Sequence, residues 1–186
     1  MLPARAFWFL RHGETDWNAQ NLSQGDRDIP LNALGLAQAR EAATALQGRG
    51  IRSIVASPLS RAADTAAIVA EALQLPVATD PELREVAFGV REGQPVGAWY
   101  DEWVAGNSTP AGAESFAALR LRGAQAITRA LGRKPPVLVV AHGALFRAIR
   151  AEMGLSPNVR TPNAQPLFCE PGTPWTLTAA NGYPKA

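Results

Sequence analysis

The chain has 186 residues, with 18 basic against 16 acidic side chains, a formal charge of +2 and 47% hydrophobic content. That length fits one domain, the composition excludes a disordered or fibrous chain, and no Lys/Arg run is long enough to mark a nucleic-acid binder. One cysteine, Cys169, excludes an internal disulfide framework and fits a reducing compartment, and there are only two histidines, His12 and His142.

In chain order, residues 6–10 are continuously apolar and end at charge, which predicts a strand buried on both faces of a parallel sheet. The run is too short for a signal peptide's apolar region, and the run at 137–141 is far below a membrane span, so a cytoplasmic chain without membrane contact is expected. Residues 35–47 carry Leu36, Ala39, Ala43 and Leu46 at helical spacing, with Gly48 and Gly50 as stops. A second strand at Ser53–Ala56 precedes a helix over 59–73, with Pro58 suited to its first turn. Residues 77–79 form a third short strand, and 81–85 read as a loop or ragged strand.

Residues 95–105 carry Val96, Trp99, Tyr100, Trp103 and Val104 on one helical face, which suits core packing or the roof of a pocket. Residues 106–112 are a turn-rich loop, and a long helix is predicted over 113–131. Pro135 and Pro136 precede the clearest buried strand, 137–141, and a helix follows over 144–153. Segments 165–169 and 175–179 flank a hairpin turn at 170–174. This alternation predicts an α/β three-layer sandwich: a mostly parallel central sheet with helices on both faces, one domain over 1–186, and a small helical lid around 90–112.

Three loops follow predicted strands and carry the chemistry: Arg11-His12-Gly13, Ser57 to Arg61, and His142-Gly143. Open α/β sheets hold ligands outside the carboxyl ends of their strands, so these loops can meet. Two arginines, two imidazoles and glycine-bared backbone suit a phosphate dianion, and imidazole can act as a nucleophile. A histidine is more often structural, but both histidines here stand between a buried strand and a glycine. A metal centre is disfavoured, since ligands are few and arginines repel cations; no Walker loop occurs.

Taken together, Arg11-His12-Gly13-Glu14-Thr15 with Trp17-Asn18, then Gln24-Gly25 and Asp28 to Leu31, resemble the opening motif of the histidine phosphatase superfamily, the phosphoglycerate-mutase-like group. Ser57 to Ala62, Leu83-Arg84-Glu85 with Phe88-Gly89 and Glu92-Gly93, Glu114 to Phe116, and His142-Gly143 resemble its later motifs in the same order. The resemblance implies that His12 takes the phosphoryl group, that Arg11, Arg61 and His142 hold it, and that Glu85 serves as acid and then base. It also implies that Gly13, Asn18, Gln24, Gly25 and Gly143 border the phosphate, with a small-molecule phosphomonoester as partner and no cofactor or metal. Glu14 is read as structural, at a helix start.

Such chemistry wants His12 neutral, with one nitrogen donating to a fixed acceptor, whereas His142 would help most when protonated. The cofactor-dependent mutases are longer and carry another histidine where this chain has Val86-Ala87-Phe88. Between Val90 and Gly112 the only basic residue is Arg91, against Glu92, Asp101 and Glu102. Hydrolysis is therefore expected over mutase chemistry, with a weakly charged or partly apolar leaving group walled by Trp99, Tyr100 and Trp103. A mutase and a catalytically silent phosphoester-binding module are the alternatives, though such modules typically lack the nucleophile or acid that His12 and Glu85 supply. No feature of the sequence sets an oligomeric state.

Overall fold

An apolar run with no polar face must lie where neither side meets water. Strand β1 (Phe7–Arg11) is buried along its whole length, at the middle of a six-stranded sheet in a computed structural model that describes residues 2–180. With β2 (Ser53–Ala56), β3 (Val77–Thr79), β4 (Val137–Ala141), β5 (Pro166–Glu170) and β6 (Thr176–Ala179), the order is β3-β2-β4-β1-β5-β6. The pairs β1–β4, β2–β4 and β2–β3 are parallel; β5 and β6 add antiparallel at the β1 side.

The period of two along each strand divides the core. Phe7, Phe9, Val137 and Val139 pack with α4 (Ala98–Ala105), α5 (Phe116–Leu131) and α6 (Gly143–Glu152). Trp8, Leu10, Ile54, Leu138 and Val140 pack with α2 (Ala33–Leu46) and α3 (Ser60–Leu73) on the other face. Phe9 stacks on Phe146 with ring centroids 3.9 Å apart, a contact that adds to the roughly 1.5–3 kcal/mol of burying each such side chain. No helix among the described residues is long and apolar enough to cross a membrane.

Helix starts depart from the periodicity because caps, not apolar spacing, set them. Asn32 Oδ1 accepts from the Gly35 N–H at 2.8 Å, so α2 begins at Ala33 rather than 35. Ser115 Oγ accepts from the Ala118 N–H at 3.2 Å, which starts α5 at Phe116 rather than 113. A short helix, α1 (Asp16–Ala19), stands outside the apolar periodicity; Thr15 and Asn18 close a reciprocal capping box around it. Residues 81–83 form a 3-10 turn, capped by Asp80, in place of a loop or strand.

The segment around 90–112 is tied down at several points. Pro95 bridges to Leu22, the Val96 N–H donates to the Asn21 carbonyl, and the Ser23 hydroxyl donates to the Arg91 carbonyl, so helix begins only at Ala98. Trp103 is fully buried, meets Phe88 and Phe116 edge-on at 5.0 and 5.1 Å, and donates its indole N–H to the Glu114 carbonyl.

Candidate active site

Because β2, β4 and β1 are adjacent and parallel, their carboxyl ends deliver the three loops to one edge of the sheet. The His12 N–H reaches the Ala141 carbonyl at 3.0 Å and the Ser57 N–H reaches that of Val140 at 3.0 Å, locking the loops together. The rings of His12 and His142 lie 5.3 Å apart. Beside them is a cavity of about 230 Å³, and Arg11, His12, Asn18, Gln24, Gly25, Arg61, Glu85 and Gly143 all line it.

His12 Nδ1 lies 2.7 Å from the Gly13 carbonyl oxygen. A carbonyl can only accept, so Nδ1 carries the hydrogen and Nε2 is the nitrogen with the lone pair. The acceptor is itself fixed: the Gly13 N–H donates to Thr65 Oγ1 at 3.0 Å, and Asn163 Nδ2 donates to the carbonyls of His12 and Gly13 at 3.0 and 3.3 Å. Gly13 cannot carry a side chain, since a Cβ there would stand 2.4 Å from the Gly35 carbonyl oxygen. Gly13 is thus bound up in orienting His12 and, with His142, is not among the cavity-lining residues. Glu14 is also structural; its carboxylate accepts from Asn32 Nδ2 at 3.1 Å.

Arg11 donates to the Thr161 carbonyl at 2.6 Å, and Arg61 spans two carbonyls, Arg27 at 2.7 Å and Gly25 at 2.9 Å. Among the described residues both guanidinia keep a buried Nε without a partner, as does His142 at Nδ1. Buried polar groups are rarely left so, and both guanidinia line the same cavity. Burial pulls the Arg11 pKa down to about 10, which leaves it charged at neutral pH. A Cβ on Gly143 would press to 3.2 Å from Arg11 Nε, so glycine there leaves the guanidinium its place.

Glu85 is held from the start of α6. Its Oε1 accepts from the N–H groups of Leu145 at 2.9 Å and Val86 at 3.2 Å, and its Oε2 from that of Ala144 at 2.9 Å. Oε1 has both acceptor sites in use and Oε2 only one. Asn18 Oδ1 accepts from Asn163 Nδ2 at 3.2 Å, and Gln24 Oε1 accepts from the Thr15 hydroxyl at 2.9 Å.

Three expectations are corrected. His142 is not prepared to be a cation: burial first, then Arg61, His12 and Arg11, push its pKa well below the ordinary value, and burial with Arg61 and Arg11 does the same to His12. The pocket is also not poor in positive charge, because Arg147 on α6 and Arg160 line it from segments outside 90–112. Of the three aromatic residues expected as an apolar wall only Tyr100 lines the cavity, joined by Phe88 and Val96; Trp103 is core, and Trp99 packs edge-on against Phe88. Arg147, Arg160, Thr161 and Asn163 carry no local signal of a site; only the hydrogen-bonding capacity near His12 could have prompted a search for them.

Unfolded histidines titrate near 6.5, while both folded imidazoles are held lower. Their contribution to stability is complete above about pH 6.5 and is lost as pH falls through the window beneath it. Imidazole nitrogen NMR of the free protein is expected to show both rings neutral at pH 6.5, with the melting temperature falling on acidification; a ring half-protonated near 6.5 would contradict this.

A family model described as the histidine phosphatase superfamily (branch 1) matches residues 7–164. A Yersinia enterocolitica protein named probable phosphoglycerate mutase GpmB is 39% identical over 166 residues, covering 81% of this chain and 76% of that one. The uncharacterized phosphatase PhoE of Bacillus subtilis is 39% identical over 150 residues, covering 80% and 77%. Among solved structures, a mycobacterial glucosyl-3-phosphoglycerate phosphatase in complex with VO3 matches with a TM-score of 0.84 at 29% identity, over 98% of this chain and 100% of that chain.

Proposed function

The chain belongs to the histidine phosphatase superfamily, and we propose that it is a phosphomonoesterase that hydrolyses a small phosphorylated metabolite through a phosphohistidine on His12. One observation carries the reading: His12 is neutral and tautomerically fixed by the Gly13 carbonyl, with Nε2 free, in a cavity it shares with Arg11 and Arg61.

Nε2 attacks phosphorus while the bond to the ester oxygen breaks, and that oxygen takes a proton from Glu85 and leaves as an alcohol. Oε2 is the oxygen suited to carry the proton, having an acceptor site to spare. Arg11 and Arg61 meet the equatorial oxygens, where charge must be held during transfer. In the second half Glu85 takes a proton from water, the oxygen attacks phosphorus, and the P–N bond breaks. Inorganic phosphate departs, with His12 neutral and Glu85 protonated again. His142 joins with Nδ1 as a donor when the Ser57 hydroxyl, 2.7 Å from its Nε2, supplies the hydrogen of that bond. A dianion among these groups also draws the imidazole back toward its charged form. No metal enters this scheme.

With a labelled phosphomonoester and an alkaline quench, label is expected on the wild type and not on His12→Ala, with inorganic phosphate as product and no effect of a chelator. Transfer of label to a second alcohol instead of water would mark a mutase. No label and no turnover across a broad substrate panel would mark a silent binding module.

A further inference from the structure

Glu92 does not line the cavity and has no part in the phosphoryl chemistry, yet its carboxylate is held by three donors. Oε1 accepts from the backbone N–H groups of Asp26 and Phe88, each at 3.1 Å, and Oε2 accepts from Arg27 Nε at 3.0 Å. The Glu92 side chain is 11% exposed, against 67% for Arg27. The ion pair therefore has one partner in water and holds little, whereas Oε1 satisfies two partly buried N–H groups at once. Oε1 also lies directly against Gly25, where a Cβ would stand 2.4 Å from it and where the backbone takes a left-handed φ of +55°.

The turn at 25–27 thus has Glu92 on one side and Arg61 on the other. Arg61 is fully buried, and the acceptors it has among the described residues are the turn's own carbonyls, Gly25 for Nη2 and Arg27 for Nη1. A planar guanidinium bonded at both Nη atoms has its plane and rotation fixed, and its unpartnered Nε–H with them. The rest of the loop is secured without Glu92. The Ser23 N–H donates to the Gln94 carbonyl at 2.9 Å, and the N–H groups of Gly93 and Val96 donate to the carbonyls of Ser23 and Asn21 at 2.8 and 3.0 Å. Arg84 grips the Asp26 side chain at 2.7 Å and leaves its backbone N–H to Glu92.

We propose that Glu92 is a positioning residue for the phosphoryl group: it holds the 25–27 turn so that the two carbonyls set Arg61 at the cavity. As a contribution to catalysis this rests on the phosphohydrolase reading; as a contribution to phosphate binding it does not. Charge alone has the opposite sign, because removing a carboxylate near a phosphate site should tighten binding.

Inorganic phosphate, which is not consumed, is the probe, and its affinity is measured by calorimetry on the full chain. Glu92→Ala is expected to weaken it about 10-fold, and by less than about 2-fold when combined with Arg61→Lys, which keeps a charge but cannot span both carbonyls. Glu92→Gln keeps the Oε1 acceptor and should stay within about threefold of the wild type. Glu92→Asp is one methylene too short to reach both N–H groups and should repeat the alanine pattern, which serves if the alanine variant does not fold. Without ligand, nitrogen NMR should resolve slowly rotating Arg61 Nη groups in the wild type and Glu92→Gln, and an averaged signal in Glu92→Ala and Glu92→Asp. Tighter binding or no change in Glu92→Ala and Glu92→Asp, an equal loss in both Arg61 backgrounds, an unaltered Arg61 signal, or no phosphate binding by the wild type overturns the proposal. Turnover and phosphohistidine are assayed in parallel. If the wild type forms neither while the phosphate affinities behave as stated, the hydrolase reading fails and the role of Glu92 stands.

Discussion

Replacing His12 with alanine is expected to lower kcat/KM for phosphomonoesters by about 10⁴-fold or more, since the other imidazole, His142, does not line the cavity and only the electrostatic part of the site remains. The fold should survive. His12 is buried, but among the described residues its ring makes one hydrogen bond, to the neighbouring Gly13 carbonyl, and that oxygen keeps Asn163 Nδ2 as a donor at 3.3 Å. A stability loss of about 1–2 kcal/mol covers one lost bond and the space left by the ring. Steady-state kinetics with thermal melting check this. A melt close to wild type with a rate within tenfold would mean that water attacks phosphorus directly and that His12 only binds.

Glu85→Gln is expected to split by leaving group. For an alkyl phosphate the departing alkoxide needs a proton, and losing the acid should cost about 10²–10⁴ in kcat. For 4-nitrophenyl phosphate the leaving group departs without one, so phosphorylation of His12 should continue while water activation fails, and phosphohistidine should accumulate. Rapid-quench measurement of the burst separates the two half-reactions. An equal loss on both esters without accumulation would show that Glu85 positions α6 and moves no proton. The amide also turns an N–H toward donors at Ala144, Leu145 or Val86, so stability should fall by about 1–3 kcal/mol.

Periodicity served well where burial decides structure. The continuous apolar runs at β1 and β4, and the stripe Phe116, Leu119, Ile127 and Leu131 on α5, carry their place in the core in their spacing. Hydrogen bonds decided the rest: Asn32 and Ser115 reset helix starts, and the α1 box uses Asn18 where glutamate or glutamine is the usual partner. The motif residues gather around one cavity because three adjacent parallel strands end there. Arg147, Arg160 and Asn163 arrive from a helix face and a connecting loop, where nothing in the local sequence tells a site arginine from a solvated one. The lowered pKa of His142 is hidden from its local sequence for the same reason. Neighbouring charges are a property of the assembled site: Arg61 lies 81 positions from His142 in the chain and yet is the foremost charge opposing its protonation.

The burial of both histidines beside Arg61 and Arg11 also has a bearing on acid–base titration of the whole molecule. Both imidazoles are displaced from the neutral range and burial pushes the Cys169 thiol upward, so the side chains that usually buffer a protein between pH 6 and 8 are silent in this one. A bend in a rate profile near pH 6 should therefore be assigned first to the second ionisation of the phosphate ester, which falls there, and only then to the catalyst. A thiophosphate analogue, with its different acidity, would move such a bend along the pH axis while the protein stayed unchanged.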